Sequence, residues 1–309
     1  MTRQGGQHRA GLVSFVGRPN AGKSTLMNAM VGDKVAITST KPQTTRHTIR
    51  GVVSRPQGQL VIVDTPGVHR PRTTLGQRLN DLVMTTLSEV DAVGFCLPAD
   101  ERSGPGDRFI AQKLAEAVRG PVVAIVTKTD KVSRDALAGR LADVAAFGEE
   151  VGLSWAHVVP ASAKGGENLG VLTDLLIETM PDGPPLYPPG ETTDEPESIL
   201  IAELIRESIL EDVTDELPHS IAVVVDEVVP REDRPPDRPL TDVYASLFVE
   251  RDSQKPIVLG RRGERLSRVG ATARRQIERV LGTPVYLDLR VKVAKEWQRD
   301  PKQMRRLGF

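Results

Sequence analysis

The eight residues Gly17-Arg18-Pro19-Asn20-Ala21-Gly22-Lys23-Ser24 match the pattern GxxxxGK[ST] at every specified position. Glycines in such a run let successive backbone N–H groups turn toward one centre, where they can wrap a chain of phosphates. Lys23 adds a positive charge within reach of β- and γ-phosphates, and the Ser24 hydroxyl can ligate Mg²⁺. Thr25 continues into a segment that can form a helix, whose N-terminus also favours anions. An incidental glycine-rich turn is the competing explanation; an apolar run leading in and a helical segment leading out weigh against it.

The cradle does not separate ATP from GTP, or a kinase from a switch. Three further segments do. Asp64-Thr65-Pro66-Gly67 ends the apolar run Leu60–Val63. Asp64 can hold Mg²⁺ through water, and the Gly67 amide would lie where a γ-phosphate can order the following loop. Thr127-Lys128-Thr129-Asp130 ends another apolar run. There the Asp130 carboxylate can accept both N1–H and the 2-amino group of guanine, a donor pair that adenine lacks. Ser162-Ala163-Lys164 follows a third run and brings a backbone N–H toward guanine O6. Each segment alone is an ordinary turn or cap. In this order, all at C-terminal strand ends, they point to a guanine nucleotide, because that edge is where open α/β sheets take ligands.

The elements that must position these residues can be read from periodicity. Strands are expected at Leu12–Val16, Leu60–Val63, Ala92–Leu97, Val122–Thr127 and His157–Pro160. Helices are expected at Lys23–Met30, Leu75–Glu89, Arg108–Ala117, Arg134–Val151 and Leu169–Thr179. Strands recurring with helical crossovers imply an α/β domain over residues 9–180, with a mostly parallel sheet covered on both faces. Residues 181–196 are rich in proline and read as a stiff linker. Beyond them, a helix from Glu197 to about Asp215 precedes strands at Ile221–Val229 and Val243–Glu250, with Pro230–Pro239 as a loop between them. A short helical turn near Ile257, a helix ending near Leu281 and a strand at Val285–Val293 complete a second, α+β domain over residues 197–309 in the order α-β-β-α-α-β.

The chain has 309 residues and zero formal net charge, which conceals a division. Lys255–Phe309 carries 15 Lys and Arg against 5 Asp and Glu, leaving 26 of the 41 basic and 36 of the 41 acidic residues to the rest. A basic end of this kind suits a polyanion, although a solvated basic face would look the same. The single cysteine, Cys96, excludes a disulfide framework and suits a buried position within Ala92–Leu97. The five histidines are scattered and no run approaches a membrane span, so a cytosolic location is expected.

With these motifs the chain resembles the P-loop GTPases and, within them, the bacterial Era family. The resemblance extends to Lys41-Pro42-Gln43-Thr44-Thr45-Arg46-His47, and to the run from Gly260-Arg261-Arg262-Gly263-Glu264-Arg265 through Val285–Val293 to Trp297. The latter is similar to a type II KH domain. The resemblance implies that Thr45, with Thr44 as the alternative, ligates Mg²⁺ and senses the γ-phosphate. Val68 stands where many GTPases have a water-orienting glutamine; valine cannot hold water, and Asn20 then suggests a K⁺ site that supplies charge between the phosphates. Arg46 reads better as a solvated loop residue than as an arginine finger. The guanine segment departs from the family pattern, which begins with Asn. Asn would contact guanine N7 and brace the cradle; Thr127 can do only part of this.

A GxxG loop clamps the backbone of single-stranded nucleic acid, so Gly260 and Gly263 are expected to permit close approach and Arg261 and Arg262 to neutralise phosphate. Arg265 and Arg268 extend the basic face, and Ile257, Leu259, Leu266, Val269 and the strand Val285–Leu289 would lie against bases. The alternative is a solvated helix with ion pairs such as Arg275 with Glu278. From the family come a partner, the 3′ end of small-subunit ribosomal RNA, a role in 30S maturation, and peripheral association with the inner membrane face; no DNA contact is expected. The rival readings are an RNA-binding GTPase at another ribosomal or cell-cycle step, a small-molecule kinase, which Asp130 disfavours, and a nucleotide-binding module without turnover.

Overall fold

The computed structural model describes residues 8–39, 44–67, 73–213, 220–235 and 237–309. They form two compact units. The described residues of the first fall within 8–36, 45–67 and 76–194; those of the second within 37–39, 44, 73–75 and 195–309.

In the first unit six strands, β1 (Arg9–Val16), β2 (Ile49–Arg55), β3 (Gly58–Asp64), β4 (Ala92–Pro98), β5 (Val122–Thr127) and β6 (Trp155–Pro160), lie in the order β2-β3-β1-β4-β5-β6. All neighbours are parallel except β2 and β3. Every residue of β3, β4 and β5 is buried, because helices cover both faces. On one face α1 (Lys23–Val31) contributes Leu26, Met27 and Met30, and α5 (Leu169–Glu178) contributes Leu172, Leu176 and Ile177. On the other, α2 (Thr74–Glu89), α3 (Pro105–Ala117) and α4 (Arg134–Val151) bring Val83, Leu87, Ile110, Leu114, Val144 and Phe147. Cys96 is fully buried.

Two features of this unit escape the sequence reading. Strand β2 pairs antiparallel with β3 across the turn at Pro56 and Gln57. Its Gly51 admits α1, since a Cβ there would lie 2.7 Å from a Val31 methyl. The proline-rich segment, read as a linker, is strapped to the first unit as far as Asp194. The Gln59 carboxamide accepts from the amides of Leu186 and Tyr187 at 2.7 and 2.9 Å and donates to the Tyr187 carbonyl. Val52 N–H donates to Thr192 O, and Arg50 pairs with Asp194 at 3.1 Å.

The second unit has three strands, β7 (Ala222–Pro230), β8 (Thr241–Val249) and β9 (Val285–Val293), with β7 antiparallel and β9 parallel to β8. Alternate residues Val243, Ala245, Leu247 and Val249 of β8 face α6 (Glu197–Asp212) and α8 (Glu264–Leu281) in one core. A short α7 (Lys255–Leu259) precedes α8, giving the expected α-β-β-α-α-β order. Ile37 joins this core. Helix α6 buries Glu203, Arg206 and Glu207, which would be costly unpaired. Arg206 pairs with Glu203 and donates to the Thr44 carbonyl, while Glu207 accepts from the Thr38 amide at 2.8 Å. The C-terminal segment also packs: Trp297 is fully buried, donates to Ser220 O and stacks on Phe309, and α9 (Pro301–Arg306) buries Met304.

Candidate functional site

The cradle runs from the end of β1 into α1. Gly17 has φ +153, and a Cβ there would meet the Cys96 carbonyl at 2.7 Å, so the loop passes too close to β4 for a side chain. Asn20 and Gly22 take left-handed backbone at φ 64 and 91, and Ala21 N–H closes back on Arg18 O. Pro19 and Asn20 are exposed at the rim. Arg18 turns away and binds Asp107 of α3 at 2.8 Å and Glu101 at 3.2 Å, so it braces the loop. Lys23, 7% exposed, donates to Gly17 O and Arg18 O at 3.1 Å each. Thr25 lies half-buried in the first turn of α1.

Ser24, Thr45 and Asp64 converge, though 40 residues separate the first from the last. Ser24 Oγ donates to Asp64 Oδ2 at 2.6 Å, Thr45 Oγ1 donates to the same oxygen at 3.1 Å, and the two hydroxyls are 3.2 Å apart. Asp64 Oδ1 is buried with no hydrogen-bond partner among the described residues. Two hydroxyls and a carboxylate with a spare oxygen are a hard-cation donor set that Mg²⁺ fits. Burial raises the Asp64 carboxyl from its ordinary value, opposed by the charge of Lys23 and the two hydroxyls; it lowers the Lys23 amine, opposed by Asp64. Both groups are thus shifted toward neutrality, which a phosphate and a cation would reverse. Thr65 is buried, its hydroxyl directed at Phe15 O, and Pro66 is buried. Gly67 lies against Pro19, where a Cβ would find ordinary 3.6 Å contacts. Val68 lies outside the described residues, as do Lys41, Pro42 and Gln43.

At the ends of β5 and β6, Thr127 is buried and donates from its hydroxyl to Ala21 O at 2.6 Å. Lys128 holds left-handed backbone at φ 58 and lies 3.8 Å from Glu101. Asp130 is exposed; its Oδ1 accepts from Ser162 Oγ at 2.6 Å, and Ser162 Oγ accepts from Gly165 N–H at 2.9 Å. Ala163 is half-buried and Lys164 exposed beside it.

In the second unit the Gly260–Gly263 loop joins α7 to α8. Gly260 has φ 72, ψ −177, and a Cβ there would meet Arg265 Cβ at 2.6 Å; Arg262 and Gly263 are also left-handed, at φ 51 and 84. Arg261 and Arg262 are exposed, with no ion pair among the described residues. Arg265 and Arg268, expected beside them on RNA, both pair with Asp212 of α6, at 3.1 and 2.9 Å. Their charge is therefore partly neutralised within the unit. Of the apolar residues expected to meet bases, Ile257 is 45% exposed, whereas Val269 is 3% exposed and belongs with Ala273 and Ile277 to the core stripe of α8. Leu259 and Leu266 are half-buried, and along Val285–Leu289 the inward Val285 is buried while Tyr286 is 49% exposed. Arg274, rather than Arg275, approaches Glu278, as i,i+4 spacing favours.

Residues 12–128 match the family described as 50S ribosome-binding GTPase, and residues 216–298 match the KH domain. GTPase Era of Streptomyces coelicolor is 62% identical over 302 residues, which cover 98% of this chain and 95% of that protein. GTPase Era of Mycolicibacterium smegmatis is 62% identical over 304 residues, 98% and 99% of the two chains. The chain belongs to the Era family of GTPases. Two solved Era structures superpose on 97% of this chain and 99% of their own. One is an Aquifex aeolicus Era variant bound to GDP·AlF4⁻, at 34% identity and TM-score 0.90. The other is an Era in complex with MgGDPNP and nucleotides 1506–1542 of 16S ribosomal RNA, at 35% identity and TM-score 0.91.

Proposed function

We propose that this Era-family chain is a GTP-hydrolysing switch that binds single-stranded RNA at the 3′ end of small-subunit ribosomal RNA and so assists assembly of the 30S subunit. The observation that carries the proposal is the convergence of Ser24, Thr45 and Asp64 beneath a phosphate cradle, with Asp130 at the ends of the same sheet. The RNA assignment is supported by the exposed Arg261 and Arg262 on a loop shaped by Gly260, and by the Era solved with 16S ribosomal RNA.

In this reading residues 9–180 are the GTP-binding domain, 181–196 lead out of it, and 197–309 are the type II KH domain. The N–H groups of Gly17 to Ser24 and the Lys23 amine surround the phosphates, releasing Lys23 from the loop carbonyls that occupy it here. Ser24, Thr45 and Asp64 hold Mg²⁺, which when bound neutralises charge shared by the β- and γ-phosphates. The Thr45 hydroxyl and Gly67 N–H sense the γ-phosphate. Asp130 reads guanine N1–H and the 2-amino group, and Ala163 N–H reads O6. Water attacks the γ-phosphorus and yields GDP and phosphate. A side chain at Val68 cannot orient that water, so we assign the missing charge to K⁺ held by Asn20, whose exposed place on the cradle rim and carboxamide oxygen suit a monovalent cation. The place of action is the cytoplasm, where the RNA matures. The basic C-terminal stretch is accounted for by RNA, with no need of a membrane surface. Crosslinking the protein in cells and sequencing the bound RNA tests the partner: enrichment of the 16S 3′ end supports it, and enrichment of another RNA contradicts it.

A further inference from the structure

Thr127 ends β5 three residues before Asp130 and is 3% exposed. Its hydroxyl lies 2.6 Å from the Ala21 carbonyl oxygen. A carbonyl only accepts, so the hydroxyl is the donor, and a threonine has one proton to give. Thr127 also neighbours the cradle at Gly22, where a Cβ would lie in ordinary contact, 3.7 Å from Thr127 Cβ and Oγ1. A guanine whose Watson–Crick edge rests on Asp130 has its imidazole ring at the opposite end, toward the cradle that takes the phosphates. Thr127, bonded to that cradle, flanks this end. The ring's polar in-plane atom there is N7, an acceptor that requires a donor. The side-chain proton at residue 127 is already committed to Ala21.

We propose that Thr127 makes the base site blind to N7: selection rests on the Watson–Crick edge and O6, and guanine nucleotides with C–H in place of N7 are ligands of equal standing. Thr127 is then a specificity-determining residue, one that braces the cradle without reading the base. The inference rests on the guanine-nucleotide reading of this site.

Calorimetric titration of the full chain with GDP and 7-deaza-GDP tests it, with ADP as the control for that reading. The two guanine nucleotides should bind within about twofold of each other. Thr127→Asn supplies a carboxamide with two N–H donors, and should favour GDP over 7-deaza-GDP by roughly five- to tenfold, the value of one net hydrogen bond. A wild type that binds 7-deaza-GDP tenfold more weakly than GDP overturns the proposal. So does an asparagine variant that still binds both alike, which would remove residue 127 from control of this edge. ADP binding as tightly as GDP sinks the guanine reading itself, an outcome separate from either of these.

Discussion

Replacing Arg261 and Arg262 together by aspartate reverses two charges on the tip of the Gly260–Gly263 loop, where both side chains are exposed and free of ion pairs among the described residues. A unit charge about 4 Å from a phosphate in water is worth about 1 kcal/mol, so each reversal moves the balance by about 2 kcal/mol. The pair together approaches 4 kcal/mol, which screening at ~0.1 M salt reduces to about 3. RNA affinity should therefore fall roughly 100- to 1000-fold. The salt dependence carries independent information. Each neutralised phosphate of a single strand contributes a log–log slope of about −0.7, so the double variant should show a slope shallower by about 1.4 or more. Arg268→Ala provides the contrast: Arg268 already shares Asp212 with Arg265, and its loss should cost less than about tenfold. Filter binding to a single-stranded RNA across a salt series measures both quantities, with GDP titration as a control expected to be unchanged. Wild-type RNA affinity in the double variant, or a large loss with an unaltered slope, would refute the assignment of this loop to phosphate.

Ser24→Ala removes a 2.6 Å donor from Asp64 and one Mg²⁺ ligand, so half-maximal GTP turnover should require roughly ten- to a hundredfold more Mg²⁺; an unchanged Mg²⁺ titration would contradict the site. Hydrolysis should run faster in KCl than in NaCl at matched ionic strength, and equal rates would remove Asn20 from its assigned role. Gly260→Ala forces a Cβ to within 2.6 Å of Arg265 Cβ at φ 72, and should lower stability by about 1–3 kcal/mol in denaturant titration. Gly263→Ala, at φ 84 with open space around it, should cost about 1 kcal/mol; equal losses would mean that the close approach is not what matters.

The sequence exposes those parts of the molecule whose cause is local. Strands β3 to β5 carry the apolar runs Leu60–Val63, Ala92–Leu97 and Val122–Val126 because both faces are covered, and the cradle is a contiguous motif. What it conceals depends on partners far along the chain. Strand β2 mixes Arg50, Gly51 and Ser54 among its apolar residues and is held by a hairpin with β3. The proline-rich segment has a linker's composition, yet the carboxamide of Gln59, 127 residues before Leu186, fixes it. Arg265 and Arg268 read as part of an open basic face, but Asp212, 56 residues before Arg268, pairs with both. Val269 carries no mark that it faces inward except its four-residue spacing to Ala273 and Ile277. Glu203 and Arg206 are spaced as an i,i+3 pair on α6, but their burial, with that of Glu207, depends on Thr44 and Thr38, which lie 162 and 169 residues away and respectively accept from Arg206 and donate to Glu207.

The central claim, a guanine-specific switch site, is tested most directly at Asp130. Its exposed carboxylate, with one oxygen held by Ser162, is assigned to the two donors on guanine's Watson–Crick edge. Asp130→Asn replaces one acceptor by a donor and mismatches the 2-amino group. A mispaired polar contact of this kind costs roughly 1–3 kcal/mol, one to two decades in affinity. Xanthosine diphosphate, which bears an oxygen in place of that amino group, should gain correspondingly. Calorimetry of both proteins with both nucleotides measures the exchange. Weaker GDP and tighter xanthosine diphosphate binding in the variant is the predicted result; unchanged GDP affinity would place the guanine site elsewhere.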